Sequence, residues 1–401
     1  MKPADAPRAG LLTILLGASC FLLPAADAQQ AAKVKGIWEP ANYPADVHFH
    51  SVFFVNDKIG WIGGSAAGSK GGMLLYTSDG GDHWDVQLGD AGSNEPPFTH
   101  IKFLDQTHGW ALQSNQKLLR TSDGKNWEEA GSFPKFQPFH DYVFTSPQKG
   151  TLIAGYSDNS RIFSTKDGGR SWSEDFQCAT TLQVQGLTKN VRCHLNALAF
   201  PSPQVGYVGG GGYNGGYSVI AKTEDGGVTW RMIFASTDLD SVVGMAFTDE
   251  THGVIRLKDR KVFATDDGGK SWRGVPASLP GQILFTDPAV GWSCAGRSCS
   301  LTTDGGQHWA SRDVRLPANI ESYSAPRRDR MFLVGAHGMI YRYRVVPASY
   351  TAQGIADAPL LPAYGSPLTT QLASMQSKVR DLQTKVGKDG GDAAAVASLQ
   401  S

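Results

Sequence analysis

Six copies of one short turn run through this 401-residue chain: Thr77-Ser-Asp79-Gly-Gly-Asp-His-Trp84, Thr121-Ser-Asp123-Gly-Lys-Asn-Trp127, Thr165-Lys-Asp167-Gly-Gly-Arg-Ser-Trp172, Thr223-Glu-Asp225-Gly-Gly-Val-Thr-Trp230, Thr265-Asp-Asp267-Gly-Gly-Lys-Ser-Trp272 and Thr302-Thr-Asp304-Gly-Gly-Gln-His-Trp309. Asp and Thr side chains hydrogen-bond the backbone of their own turn, and glycine takes the positive φ that a tight reversal needs. The closing Trp begins the next strand and offers a large ring to bury between neighbouring sheets. The six aspartates therefore read as structural staples rather than catalytic acids. A hairpin recurring at this interval demands an array of like units.

A second repeat runs out of phase with the first. An aromatic is followed six residues later by glycine at Phe54 and Gly60, Phe103 and Gly109, Phe144 and Gly150, Phe200 and Gly206, Phe247 and Gly253, and Phe285 and Gly291. A β-rich run follows each glycine, so the motif reads as strand, turn, strand. A degenerate seventh copy spans Ser324 to Arg330 and continues into strands without an Asp turn. Each unit thus has four strands, and seven such sheets set radially make a β-propeller, which hides most strand edges by closing into a ring. The seventh unit lacks one outer strand. Gly36-Ile-Trp38-Glu-Pro40 fits that place, because Trp38 matches the Trp that follows each Asp turn. The expected fold is all-β: a seven-bladed propeller over residues 36–346 whose last blade is closed by the N-terminal strand.

Lys and Arg total 37, as do Asp and Glu, so no net field argues for nucleic acid or an anionic membrane. Lys2 and Arg8, the apolar stretch Leu11 to Leu23 and Ala26-Asp27-Ala28 have the layout of a signal peptide, residues 1–28, cleaved near Ala28. Export to the periplasm or beyond follows. Cys20 opens a lipoprotein alternative, against which stand Gly17, where a lipobox usually has leucine, and the apolar run continuing through Leu23. No other segment is long and apolar enough to span a bilayer. Removing Cys20 leaves two local pairs, Cys178 with Cys193 and Cys294 with Cys299, and an even count in an exported chain favours disulfides. A zinc site fits the spacing less well.

The turn Phe103-Leu-Asp105-Gln-Thr-His-Gly109-Trp110, combined with a T-x-D-G-G-x-x-W turn in almost every unit, resembles the photosystem II stability and assembly factor family of bacterial-neuraminidase-repeat (BNR, Asp-box) propellers. The resemblance covers about residues 36–346. It implies a non-enzymatic, exported propeller that binds a protein partner, a membrane-protein complex or its precursor, partly through a basic patch. It implies neither cofactor nor metal. Sialidases and xyloglucanases share the turn and supply the rival reading, a carbohydrate-binding or glycoside-hydrolysing propeller. A sialidase needs three convergent arginines, a tyrosine nucleophile with an acidic partner, and usually an F/Y-R-I-P segment. The chain has no such segment, and its first unit opens His48-Phe-His50-Ser-Val-Phe-Phe54 without an arginine. Xyloglucanases pair two propellers across a cleft; one is present here.

Topology says where function belongs. The Phe/Gly turns and Asp turns share one face, short and repetitive. The loops joining second to third strands, and those leading into first strands, share the other, which varies and so suits binding. On that variable face the sequence places Lys70, Lys117, Arg161, Arg260 and Arg297, from five units. They match a basic patch, with a solvated surface as the alternative. Five histidines, His48, His50, His100, His140 and His194, stand where first strands begin, and read either as satisfied polar groups or as an ion site. Successive Asp turns lie 44, 44, 58, 42 and 37 residues apart, so the excess falls in the fourth unit. It holds the Cys178–Cys193 segment and the run Gly209-Gly-Gly-Gly-Tyr213-Asn-Gly-Gly-Tyr217. Glycine lets a partner approach the backbone, and tyrosine gives contact area at modest entropy cost. Tyr213 and Tyr217 are therefore expected at the core of an interface, flanked by Arg161 and Arg260; a partnerless mobile loop is the alternative.

Beyond the propeller, residues 347–366 read as an Ala/Pro/Gly linker. Ser366-Pro367 starts a helix over 367–386, with Leu368, Leu372, Met375, Val379, Leu382 and Val386 forming a heptad seam, and Gly387 stops it. The seam serves either self-association or docking on the propeller. Residues 387–401 read as a disordered tail.

Overall fold

A computed structural model describes residues 34–348 apart from 67–70, 91, 133–137 and 185–186. Lys70 and the segments expected to form a signal peptide, a linker, a C-terminal helix and a disordered tail lie outside these residues. Within them, seven four-stranded antiparallel sheets follow one another along the chain, with an extra two-stranded hairpin before the fourth. The first strands of the sheets are Val47–Phe54, Phe98–Phe103, Phe139–Phe144, His194–Ala199, Val242–Phe247, Gln282–Phe285 and Ile320–Arg327. First strands of neighbouring sheets touch, those of the second and third through Lys102 on Asp141 and Tyr142, and those of the first and seventh directly, so they surround the centre and the sheets are the blades of the expected closed propeller.

Closure uses both ends of the chain. Val34–Pro40 pairs antiparallel with Ile340–Pro347, from Val34 opposite Pro347 to Pro40 opposite Tyr341, and supplies the fourth strand of blade 7. Trp38 rests against Tyr343 and, edge-on, against Trp292 of blade 6. Glu39 takes a two-pronged ion pair from Arg344, at 2.6 and 2.7 Å.

The two sequence repeats interlock physically. In blades 1, 2, 3, 5 and 6 the motif Phe and its glycine are direct cross-strand partners, as Phe144 is to Gly150. In all six blades with the motif, the Phe ring lies where a side chain on that glycine would stand. The residue after the glycine then receives the Phe of the next blade. Trp61 stacks on Phe103 at 3.6 Å, Trp110 on Phe144 at 3.7 Å and Tyr207 on Phe247 at 3.9 Å. Phe332 of blade 7 stacks in the same way on Phe54, while Thr151 and Val254 follow the glycines of blades 3 and 5 and offer no ring to Phe200 and Phe285. Each Asp-turn Trp meets the Phe of its own blade from the side, between 5.8 Å for Trp127 and 6.4 Å for Trp272. Such pairs each contribute about 0.5–1.5 kcal/mol beyond burial.

The Asp turns are built alike. Thr77 Oγ1 donates to Asp79 Oδ1 and accepts the Gly81 N–H, and Asp79 Oδ1 accepts the N–H of His83. Blades 3 to 6 reproduce this set, and the shorter turn of blade 2 closes on Asn126 instead.

Six of the seven first strands carry a register break near their start. The residues left unpaired are His50, Thr99, His140, Asn196, Val243 and Glu321. A bulge re-aims a side chain and leaves backbone groups without ladder partners. Thr99 Oγ1 donates to Leu112 O, His140 Nε2 to Gly155 O and Asn196 Nδ2 to Val242 O, so these side chains supply donors where the ladder is interrupted.

Candidate binding face

The fourth blade carries the expected insertions on the loop face. Cys178 and Cys193 are bonded, both fully buried, and close the base of the hairpin Ala179–Val184 with Leu187–Arg192. Cys294 and Cys299 are bonded across the second and third strands of blade 6. Tyr217 is half-buried against the Cys178–Cys193 cluster and its hydroxyl donates to Arg192 O at 2.5 Å, so it ties loop to hairpin. Burial, then the Asp158 carboxylate, pushes that phenol up to about 12.

The glycine run corrects one expectation. Gly209, Gly210 and Gly211 are not loop but buried strand, paired with Ile220, Val219 and Ser218. A side chain on Gly209 would meet Val242 and Met245 of blade 5, and one on Gly210 would meet the His194 carbonyl. These glycines make room for protein backbone and neighbours rather than for a partner. The loop itself is short, residues 212–217.

Tyr213 stands on that loop with half its surface exposed. Its N–H donates to Asp158 Oδ1 of blade 3 at 2.6 Å, and its carbonyl accepts from Lys258 Nζ of blade 5 at 3.0 Å. Its ring meets His194 edge-on at 5.1 Å. Three blades thus hold one exposed phenol in place.

The arginines and lysines divide by partner. Arg161 is a strand residue whose Nη1 donates to Glu174 at 2.5 Å, and Lys117 pairs with Glu129 at 3.0 Å. Arg297 donates to Pro317 O at 3.3 Å. Arg260 sits exposed at the tip between the second and third strands of blade 5, with φ +70°, and makes no ion pair among the described residues. Beside it stands Arg256, overlooked in the sequence, on the second strand, Gly253–Leu257. Arg256 lies across Gly244, its cross-strand partner on the innermost strand, and its Nε is buried without a hydrogen bond. Burial first, then the Arg260 cation, pulls its guanidinium below the ordinary value. An arginine inside an otherwise apolar strand was the signal available for it.

The histidines form an arc on the same face. His48 and His50 have ring centroids 4.5 Å apart, as do His140 and His194. His50 Nε2 meets Ser65 Oγ, and His194 Nδ1 donates to Ser157 O. Burial pushes His100 down to about 4, and burial also lowers His50 and His140. Burial thus favours the neutral form of His50, His100 and His140. Among the described residues no three His, Cys, Asp or Glu side chains converge as metal ligands.

On the opposite face the turn aspartates stand one in each of blades 1 to 6. Burial works against the Asp267 charge, but hydrogen bonds from Ser271, Thr265 and Lys270 outweigh it and bring the carboxyl to about 2. Held ionised and one blade apart, these groups form no acid/base couple.

No protein-family profile matches the chain. It is 23% identical over 352 residues to the photosystem II assembly protein Ycf48 of Thermosynechococcus vestitus, covering 83% of this chain and 90% of that protein. It is 29% identical over 123 residues to the photosystem II assembly lipoprotein Ycf48 of Synechococcus sp. strain CC9902, covering 28% of this chain and 36% of the relative. Among solved structures, Ycf48 bound to D1 peptide superposes with a TM-score of 0.56 at 20% identity, over 77% of this chain and 96% of that one. A streptogramin B lyase gives the same TM-score at 12% identity over 78% and 98%, so backbone likeness establishes the propeller alone. By its sequence along most of its length, and by the course of its strands, the chain is similar to the photosystem II assembly proteins.

Proposed function

We propose that this is an exported, non-enzymatic assembly factor that captures a segment of a membrane-protein complex, or of its precursor, on the loop face between blades 4 and 5. The observation that carries the site is the exposed, three-way-held Tyr213, with Arg260 on the blade 5 tip two residues beyond the Lys258 that holds it; Arg256 lies on the same blade, and neither arginine has an ionic partner among the described residues. An unpaired, half-buried guanidinium is costly unless something pairs with it, and a carboxylate presented by a peptide does so with two parallel hydrogen bonds. Tyr213 adds a rigid aromatic contact. The D1 peptide held by a structural neighbour, and the assembly role in the relatives' names, support a protein segment as the ligand. The signal-peptide layout of residues 1–28 supports export.

A photo-crosslinking residue at position 213, in the full chain produced at native level in its host, tests this. It should recover a membrane-protein subunit, whereas the same residue at position 307, on the turn face, should not. Arg256→Gln with Arg260→Gln should lower recovery by about tenfold, the worth of one charge-assisted contact. Equal recovery from both positions, or turnover of sialosides or xyloglucan by the protein, would overturn the reading.

A further inference from the structure

The hairpin inserted before blade 4 belongs to no blade. Its strands, Ala179–Val184 and Leu187–Arg192, form a sheet of their own. The backbone bond from the Cys193 N–H to Cys178 O sets the alternation along it, so that Thr180 with Val191 and Leu182 with Lys189 are the hydrogen-bonded pairs. Ala179, Thr181 and Gln183 therefore turn their N–H and C=O groups outward on one edge, and Thr188, Asn190 and Arg192 do so on the other. On the second edge the Arg192 carbonyl already accepts the Tyr217 hydroxyl. The two rungs beyond it are open. Thr188 and Asn190 are exposed, and among the described residues no hydrogen bond reaches their backbone from outside the hairpin.

A two-stranded hairpin is marginal by itself, and this one is held in shape by other means. The Cys178–Cys193 bond closes its base, Thr181 Oγ1 donates to Asn190 Oδ1 at 2.9 Å, Gln183 Nε2 donates to Thr188 Oγ1 at 2.7 Å, and Leu182 is buried. The open rungs are thus presented in strand geometry before anything binds, and such an edge pairs with an extended chain. Charge decides which chain. Residues 178–193 include Lys189 and Arg192 and no acidic residue, and neither cation has an ionic partner among the described residues. Two copies meeting edge to edge would set these cations against each other, which is unfavourable. A segment bearing carboxylates is attracted instead. Leu187, 63% exposed on the same strand, adds an apolar contact.

We infer that the Leu187–Arg192 edge takes an extended, acidic segment as a third strand. The inference rests on the protein-binding reading above and deepens it: the captured segment is held by its backbone at Thr188 and Asn190, beside the loop that carries Tyr213 and Tyr217, and its charge is read by Lys189 and Arg192. Affinity then comes from main-chain bonds and selectivity from the two cations.

The test uses the mature chain with ¹⁵N-labelled threonine and asparagine and two acetylated, amidated probe peptides, one alternating glutamate with valine and the other lysine with valine. The Thr188 and Asn190 amides should exchange rapidly with solvent in the free chain. The acidic peptide should slow both by about tenfold at saturation, with a dissociation constant on the order of 1 mM, and the basic peptide should slow neither. Asn190→Pro and Thr181→Pro each remove one outward N–H, on opposite edges, and both lose the Thr181–Asn190 side-chain bond. The first should weaken binding of the acidic peptide, read at the Thr188 amide, by about fivefold or more. The second should leave it unchanged. Equal slowing by both peptides, slowing by neither, or equal responses in the two variants would overturn the inference, as would a dimer of the free chain that Asn190→Pro alone dissociates. Loss of the peptide response with crosslinking at position 213 intact removes this edge alone; a peptide response without that crosslinking removes the assembly-factor reading instead.

Discussion

Replacing Gly150 by alanine separates two physical effects of opposite sign. Gly150 lies in a strand and does not have positive φ, so propensity alone makes Gly150→Ala stabilising by about 0.5–1 kcal/mol. The structure reverses that sign. An added Cβ would stand 2.7 Å from both Cδ1 and Cε1 of Phe144, a distance at which something must move. The ring has little freedom to do so. It is 5% exposed, stacked on Trp110 at 3.7 Å with planes 3° apart, and met edge-on by Trp172 and Tyr142 at 6.0 Å. Overpacking costs about 1–3 kcal/mol, and losing the stack about 0.5–1.5 more. The net after propensity is about 1–4 kcal/mol of destabilisation. Phe144→Ala alone should cost about 3–5 kcal/mol. In the Phe144→Ala background the same glycine change meets no ring, and should become neutral or stabilising. Urea titrations of the four proteins, read at constant slope, give the coupling directly. A neutral Gly150→Ala in the wild-type background, or equal penalties in both backgrounds, would refute the claim that the aromatic dictates the glycine.

Stability should fall as pH drops from about 6.5 towards 4. His100 is held down to about 4 by burial, so the unfolded chain binds its proton first, and this imidazole contributes about 3 kcal/mol that is present above 6.5 and lost through that window. A His100→Gln variant should show a flatter stability profile between pH 4 and 6.5 in equilibrium denaturation, and an unchanged slope would remove the assignment. Asp225→Ala should lower stability by about 1–3 kcal/mol, for loss of the bonds to Thr229 and Thr223, without changing crosslinking at position 213. Lost crosslinking with an unaltered melting temperature would make that carboxylate a ligand group.

The propeller is legible in the sequence because its two repeats are local and each states its own chemistry. Thr, Asp and Gly within five residues specify a turn whatever surrounds them. The Phe and Gly six apart specify a hairpin in which ring and bare backbone are complementary. The closing strand was legible from Trp38 by its likeness in sequence to the tryptophan after each Asp turn, although its ring meets Tyr343 and Trp292 rather than a motif Phe of its own blade. What the sequence could not say is what a glycine is for. Gly80 and Gly81 supply positive φ, whereas Gly209 and Gly210 have strand backbone and supply space, and the letter is the same. Nor does a basic residue disclose its partner. Lys117 and Arg161 stand near loops and looked available, but Glu129 and Glu174 on the adjacent outer strands neutralise them. Arg256 was hidden by the opposite error, since its strand position suggested burial and its lack of a partner emerges only once blade 5 is folded.

The two faces of the ring differ in how completely their charges are satisfied. On the turn face, Asp79, Asp105, Asp249 and Asp304 each hold a histidine within 3.0 Å, and the turn backbone supplies further donors. That chemistry repeats because the same hydrogen bonds that satisfy the carboxylate also form the turn, so changing it costs stability in every blade. The loop face carries no such obligation. Its bulges occupy the same place in six blades yet bear His, Thr, Asn, Val and Glu, so the backbone device is fixed while the side chain is free. Charge that the fold does not need can therefore accumulate there unpaired, and Arg256, with its buried and unbonded Nε, is such a charge. Folding would be served as well by an apolar residue of that length. What an apolar residue could not do is meet a carboxylate arriving from outside, and that is the physical reason for the proposal that binding belongs to this face.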